Sequence, residues 1–356
     1  MTLLLSFFYS ASAGVFITLS CIYLLKPMAL HIGLVDTPGG RKMHAHAVPL
    51  IGGIAIFIGF LFSLLCFNIS LHNYRGLLAG SIILVLLGVL DDFKELTPRI
   101  RLIGQALAGL ILIHWGHLSF DHLGNLFFLG NVNLGIWSWV LTLFFVMGFI
   151  NAINMIDGHD GLAGLIVLGQ AVFLAYLNFH IQQNFDAYLI LLFATVLCPF
   201  LAFNLPLPWR KRASIFMGDA GSTFIGFVIA WFAISLSQTI FSQGPINVGF
   251  NPLTVLWVLA YPLFDLIAVV FVRVRQGKSP LQGGRDHLHH LLLIMGFQRS
   301  IVTLLLFTFS LSLGLIGILL AHQKISEPYQ LLIFVMLLVV YFIATFKFQE
   351  KLSLKE

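Results

Sequence analysis

The chain has 356 residues, 59% of them hydrophobic and 9% charged, with a mean hydropathy of +0.98. A soluble domain is about 25% charged, so this composition excludes a water-exposed globular surface and makes lipid the main solvent. The formal charge of +5 is therefore read first as a topology signal in basic loops, not as a nucleic-acid footprint.

Eleven apolar segments follow in chain order, at 3–25, 48–70, 75–91, 102–117, 137–155, 162–180, 187–205, 220–240, 253–272, 300–321 and 329–346. They predict an all-α polytopic membrane protein with ten or eleven transmembrane helices in one domain, 1–356. The runs are continuous, without the period-2 alternation of a barrel. The first is too long for a signal-peptide core and lacks a basic leader, so it reads as a helix. Cys21, Cys66 and Cys198 lie in apolar runs without metal spacing and read as packing residues. Pro262 and Asp265 in the ninth segment predict a bend, with Asp265 a buried ion-pair partner or a cap on the kink. Between 118 and 136, Gly124, Gly130, Asn131, Asn133 and Gly135 predict a small hairpin or interfacial segment.

Loops alternate between sides. Of the 19 Lys and Arg residues, all but Arg75 and Lys324 fall in one set of loops, which also includes the tail. The positive-inside rule makes that set cytoplasmic. Eleven spans then put the N-terminus in the periplasm and the C-terminus in the cytoplasm.

The cytoplasmic set also collects carboxylates. Any one of them reads as solvated loop charge, but the combination at membrane-embedded helix ends calls for partners, water or metal. Asp91-Asp92 closes one apolar helix, and Asn151, Asn154 and Asp157 recur on one face of another. That face suits interhelical hydrogen bonding or an oxygen-lined divalent cation. Phe216-Met-Gly-Asp219-Ala-Gly-Ser222 sits where a loop becomes a helix, which suits an N-cap at Asp219 or an anion at free N–H groups. Arg285-Asp-His287-Leu-His289-His290 lacks the zinc-protease Glu and suits a phosphate-rich ligand. Arg41, Lys42 and His44 read as phosphate binders, and Arg210 to Arg212 as a topology anchor. No Walker A loop, serine-hydrolase elbow or Rossmann fingerprint is present. The ionisable residues gather at one membrane face and not at the midplane, which favours an interfacial enzyme over a secondary transporter. A purely structural scaffold leaves the clustered carboxylates and histidines without a reason.

Together these loops resemble the polyprenyl-phosphate N-acetylhexosamine-1-phosphate transferase family. Five motifs carry the resemblance between Asp36 and His290. They are D-x-P-x-x-R-K-x-H at Asp36–His44, the pair Asp91-Asp92, N-x-x-N-x-x-D-G-x-D-G at Asn151–Gly161, F-M-G-D-A-G-S at Phe216–Ser222 and H-x-H-H at His287–His290. Within the family the chain is most similar to enzymes that transfer GlcNAc-1-phosphate from UDP-GlcNAc to undecaprenyl phosphate and release UMP. The phospho-MurNAc-pentapeptide branch, the alternative, typically carries three consecutive histidines and a shorter link after the residue matching Asn204. His159 departs from the pattern, standing where an apolar residue is more usual.

The resemblance implies roles residue by residue. Asp219 matches the main magnesium-binding residue, with Asn154 a second ligand and Mn²⁺ an alternative metal. Asp91 matches the residue proposed to engage or deprotonate the lipid phosphate, and Asp92 assists the metal site. Asp157 and Asp160 match active-site carboxylates, with Asp160 near the uracil, Phe216 stacking on that ring and Asn204 nearby. Arg101 matches a phosphate contact, and Arg285, His287, His289 and His290 match the loop recognising sugar and pyrophosphate. The resemblance also implies a bacterial inner-membrane enzyme, acting as a homodimer, that partners the bilayer and no nucleic acid. Its product would open O-antigen or common-antigen-type polysaccharide synthesis.

Overall fold

The computed structural model describes residues 3–37, 47–206, 210, 212–243, 249–279, 284 and 286–353. The helices, numbered in chain order, are α1 (Leu3–Ile32), α2 (Gly52–Cys66), α3 (Arg75–Lys94), α4 (Pro98–Gly116), α5 (Ser138–Ile156), α6 (Leu162–His180) and α7 (Asn184–Asn204). They continue with α8 (Gly218–Gln243), α9 (Pro252–Val258), α10 (Ala260–Arg275), α11 (Leu288–Ile294), α12 (Arg299–His322) and α13 (Glu327–Ser353). Strands β1 (Val35–Asp36) and β2 (Val48–Pro49) pair antiparallel.

Among the described residues, eight helices are long and apolar enough to cross a bilayer: α1, α3, α5, α6, α7, α8, α12 and α13. A ninth span forms if α9 and α10, bent by 71° at Leu259, are taken as one. Each of the eleven predicted segments falls on a helix. The 15-residue α2 and the arginine-bearing α4 lie outside the set of eight. The chain is thus an all-α polytopic membrane protein. Its helices satisfy their own backbone polar groups, as hydrocarbon requires.

Local sequence explains where helices stop and bend. Thr97 is extended (φ −63°, ψ 148°) because Pro98 follows it, and Pro98 opens α4 at a position that needs no N–H. Pro262 has no N–H for the Val258 carbonyl and its ring crowds that carbonyl, so the helix breaks between Val258 and Ala260.

The chain forms two compact units, one from residues 1–118 and 145–232, the other from 119–144 and 233–356. In the first, α1 and α2 pack through small residues. A Cβ on Gly14 would strike Ser63, and one on Gly59 would strike Thr18. The Thr18 and Ser63 hydroxyls donate to Gly14 and Gly59 carbonyls four residues back, so neither hydroxyl is stranded. A second close approach joins α2 and α3 to the start of α8. Built Cβ atoms on Gly53 and Gly88 would enter the backbone of Gly221 and Ala220. The Gly52 and Gly53 N–H groups donate to the Phe216 and Met217 carbonyls, both at 2.9 Å, and Phe216 N–H donates to Pro49 at 2.9 Å.

The second unit has an aromatic core in which Trp257 and Phe264 pack edge-on against Phe334 at 5.2 and 4.9 Å. It also contains the expected hairpin. Leu123 N–H donates to Val132, Val132 to Gly124, and Leu134 to Asp121. The Gln238 side chain and the Glu327 carboxylate hold this hairpin by its backbone.

Because Gly221 meets Gly53 through main-chain atoms that cannot swing aside, Gly53→Ala should lower stability by about 1–3 kcal/mol. Thermal unfolding of the detergent-solubilised protein measures this, and an unchanged midpoint would contradict the close packing.

Candidate active site

Five elements of the first unit bring their polar ends together: the last turn of α3, the loop after it, the first turn of α4, the last turn of α5 and the first turn of α8. The start of a helix leaves N–H groups without partners. At α8 the partner is Asp92 of α3, which accepts from Asp219 N–H at 2.8 Å and Ala220 N–H at 3.3 Å. The expected alternative, Asp219 capping its own helix, is not what occurs. Gly218, with φ +73°, lets the chain turn there, and a Cβ at that residue would run into the Asp92 carboxylate.

With α8 capped by Asp92, the Asp219 side chain is left for other partners. Asn154 of α5 donates to Asp219 Oδ1 at 2.6 Å and to Ser222 Oγ at 2.8 Å. Both amide hydrogens are then used, leaving Asn154 Oδ1 as the atom able to reach a cation. Arg101 pairs with Asp91 (Nε–Oδ2 2.5 Å) and extends Nη1 to 3.9 Å from Asp219 Oδ2. Asp91 is 4% exposed and is also held by Leu96 N–H on Oδ1 at 2.7 Å. Arg101 and Asp219 are 37% and 29% exposed, so a soluble phosphate can reach both.

Asp157 follows the last residue of α5. Burial, and then the charges of Asp219, Asp92 and Asp160, push its carboxyl well above the ordinary 3.8. Four carboxylates, Asp91, Asp92, Asp157 and Asp219, thus gather near the single guanidinium of Arg101. The donor atoms are hard oxygens, which suit Mg²⁺ or Mn²⁺. Among the described residues no three His, Cys, Asp or Glu side chains form a metal cage by themselves.

The flanking residues act as a frame. Asn204 is 4% exposed. Its Oδ1 accepts from Gly161 N–H and its Nδ2 donates to the Ile215 carbonyl, both at 2.8 Å. It thus ties the loop after α5 to the strand-like segment before α8. Asp160 accepts from Ala213 N–H at 3.1 Å and reinforces the same tie. Phe216 is half-buried and bridges Leu50 in parallel register. Arg210 donates to the Ala202 and Leu205 carbonyls at 2.6 and 2.8 Å and so caps the end of α7.

Gln105 was not among the expected site residues. It is 3% exposed and exchanges amide hydrogen bonds with Asn151 (Asn151 Nδ2 to Oε1 2.6 Å; Gln105 Nε2 to Oδ1 3.4 Å). The pair joins α4 to α5 one turn along from Arg101 and Asn154. A glutamine one turn after an arginine in an apolar helix was the only signal available.

The second unit contains the histidine segment. His287 and His289 are buried, His290 is half-buried, and the His289 and His290 rings lie 4.1 Å apart. Burial pushes Asp286 up, but hydrogen bonding and charge from Arg273 outweigh it and hold that carboxyl below its ordinary value. Asp265 is buried, and its Oδ2 stands 2.6 Å from His287 Nδ1. Arg41, Lys42, His44 and Arg285 lie outside the described residues.

The Asp157 shift has a testable sign. Folding raises its proton affinity, so its contribution to stability falls as pH rises above the unfolded value of about 4. In chelator-treated protein, Asp157→Asn should match wild type near pH 4 and become progressively more stable than it toward neutral pH. Scanning fluorimetry across pH reads the difference, and parallel curves would refute carboxylate crowding.

A family model described as glycosyl transferase family 4 matches residues 74–237, the stretch that holds this carboxylate group. The undecaprenyl-phosphate alpha-N-acetylglucosaminyl 1-phosphate transferase of Yersinia pestis is 36% identical over 304 residues, covering 85% of this chain and 80% of that protein. The protein of the same name from Escherichia coli O157:H7 is 34% identical over 322 residues, covering 90% and 86%. That from Haemophilus influenzae is 35% identical over 311 residues, covering 86% and 84%. Similarity at this level along most of both chains, centred on the assembled carboxylates, makes this chain a member of glycosyl transferase family 4.

Proposed function

We propose that the chain transfers GlcNAc-1-phosphate from UDP-GlcNAc to undecaprenyl phosphate and releases UMP. The observation that carries this reading is the group of Asp91, Asp92, Asn154, Asp157 and Asp219 around Arg101 at the helix ends. The shared name of the relatives supports it. An oxygen of the lipid phosphate attacks the β-phosphorus of the nucleotide sugar. The bond from that phosphorus to the bridging oxygen breaks, and the oxygen leaves on UMP. The remaining product is undecaprenyl-pyrophosphate-GlcNAc.

Phosphoryl transfer asks a protein mainly to position reactants and balance charge. Arg101 offers a fork to the phosphates while anchored on Asp91. The lipid phosphate, with a second pKa of about 6, is largely ionised at neutral pH and needs no strong base. Asp91, held by Leu96 N–H and Arg101, is suited to orienting the nucleophile. Asp219 and Asn154 would hold Mg²⁺ or Mn²⁺, which when bound offsets the charge of the pyrophosphate. Asp92 positions Asp219 through the α8 backbone, and Asp157 and Asp160 complete the acidic face. We read Arg41, Lys42, His44, Arg285, His289 and His290 as further phosphate and sugar contacts, and Phe216 as a stacking surface for uracil.

Asp157 and Asp219 stand at helix ends, which favours interfacial chemistry over midplane transport. The same reading takes eleven spans in the bacterial inner membrane, with a periplasmic N-terminus, a cytoplasmic active face, a homodimeric assembly and a product that initiates cell-envelope polysaccharide.

Purified protein should convert radiolabelled UDP-GlcNAc, undecaprenyl phosphate and Mg²⁺ into organic-phase label and aqueous UMP in equal amounts. Chelator and Asp219→Ala should abolish both. A folded preparation that fails with a panel of UDP-sugars would end the transferase reading. Asp91→Asn separates orientation from proton transfer. We expect turnover to survive within about 10-fold, since general-base losses typically reach 10²–10⁴-fold.

A further inference from the structure

Asp265 lies within α10, 1% exposed, yet three donors hold its carboxylate. His287 Nδ1 stands 2.6 Å from Oδ2. The Tyr341 hydroxyl donates to Oδ1 at 2.7 Å, and Leu288 N–H reaches the same oxygen at 3.2 Å. On the far side of the imidazole, Arg273 Nη2 is 3.4 Å from His287 Nε2. Arg273 also grips Asp286 in a two-pronged pair, Nε to Oδ2 at 2.6 Å and Nη2 to Oδ1 at 3.2 Å.

These neighbours fix the ring's proton. A guanidinium only donates, so Nε2 facing Arg273 must present its lone pair. A carboxylate only accepts, so Nδ1 facing Asp265 must carry the hydrogen. The neutral Nδ1–H tautomer alone meets both demands, and both nitrogens are then engaged inside the protein.

We infer that Asp265, supported by Tyr341, is a positioning residue: it sets the His287 tautomer, and through His287 it holds Arg273, Asp286 and the first turn of α11, which carries His289 and His290. His287 thereby relays orientation and does not itself touch substrate. The catalytic consequence rests on the proposed transfer reaction; the tautomer does not.

An asparagine at 265 cannot satisfy the same set. If its amino group faces the imidazole, the ring must take the Nε2–H form, and that hydrogen meets Arg273. If the amino group faces the other way, it meets Leu288 N–H. The clash with Arg273 disappears in Arg273→Gln, whose side chain can accept from Nε2–H. Asp265 and Arg273 are therefore coupled through the ring between them.

The experiment combines a double-mutant cycle with a direct look at the ring. Asp265→Asn and Arg273→Gln should each lower kcat by about 10-fold or more, as loss of an orienting partner does. The double variant should lose no more than the worse single one. Tyr341→Phe, a gentler change, should lower kcat in the same direction while the protein stays folded. A double-variant loss equal to the product of the single losses would overturn the relay. Nitrogen-15 spectra of histidine-labelled protein, assigned by difference against His287→Gln, should show Nδ1 protonated in wild type and Nε2 protonated in Asp265→Asn. A wild-type ring protonated at Nε2 would overturn the relay whatever the activity. Wild-type protein that makes no lipid-linked sugar would sink the transfer reading and leave the spectra to decide the tautomer.

Discussion

The Asp92 carboxylate accepts the Asp219 and Ala220 N–H groups, and the rest of the first unit's polar face is arranged around that contact. Unpartnered N–H groups at a helix start are costly away from water, and a carboxylate there also gains from the helix dipole. Capping from a neighbouring helix demands that backbones nearly touch, which is why Gly88 faces Ala220 and Gly53 faces Gly221. Because Asp92 does the capping, Asp219 can turn to Asn154 and Arg101. A helix that capped itself with Asp219 would have spent a carboxylate that a ligand can reach.

The two polar networks are balanced differently. In the second unit the His287 ring, the Tyr341 hydroxyl, Leu288 N–H and Arg273 Nε and Nη2 all find partners among Asp265, Asp286 and His287. Such a closed network inside a low-dielectric environment is rigid, because any single change leaves a group unpaired. In the first unit Asp91, Asp92, Asp157 and Asp219 outnumber Arg101, and burial together with the neighbouring carboxylates raises the proton affinity of Asp157. A perturbed buried carboxylate beside the solvent-reachable Arg101 and Asp219 marks a candidate site for a ligand that brings charge. One network holds geometry and the other binds.

Proline supplies the remaining device. By breaking the chain after Val258, Pro262 starts α10 afresh at Ala260, so Asp265 belongs to a helix whose direction differs by 71° from that of α9. Asp265 sits three residues after that proline, where it meets Tyr341 of α13 and Leu288 of α11. A straight span would carry the same carboxylate along a different line.

The apolar runs by themselves determined that this is a helical membrane protein, since runs of this length leave the backbone no other way to satisfy its polar groups. The clustering of Asp91, Asp92, Asn154, Asp157 and Asp219 near helix ends was legible too, because burying an unpaired carboxylate in lipid is costly enough to mark it. The bend was legible from Pro262, and the hairpin from its Gly-Asn turns. Only the tertiary structure decided which side chain answers which. Asp92 capping a helix 127 residues away, Asn204 joining Gly161 to Ile215, Gln105 matched to Asn151 and Tyr341 reaching Asp265 are contacts between segments distant in the chain. Sequence periodicity records which face of a helix is polar. It does not record which other helix that face meets, because that depends on how closely glycines let backbones approach and on where every other buried donor finds its acceptor.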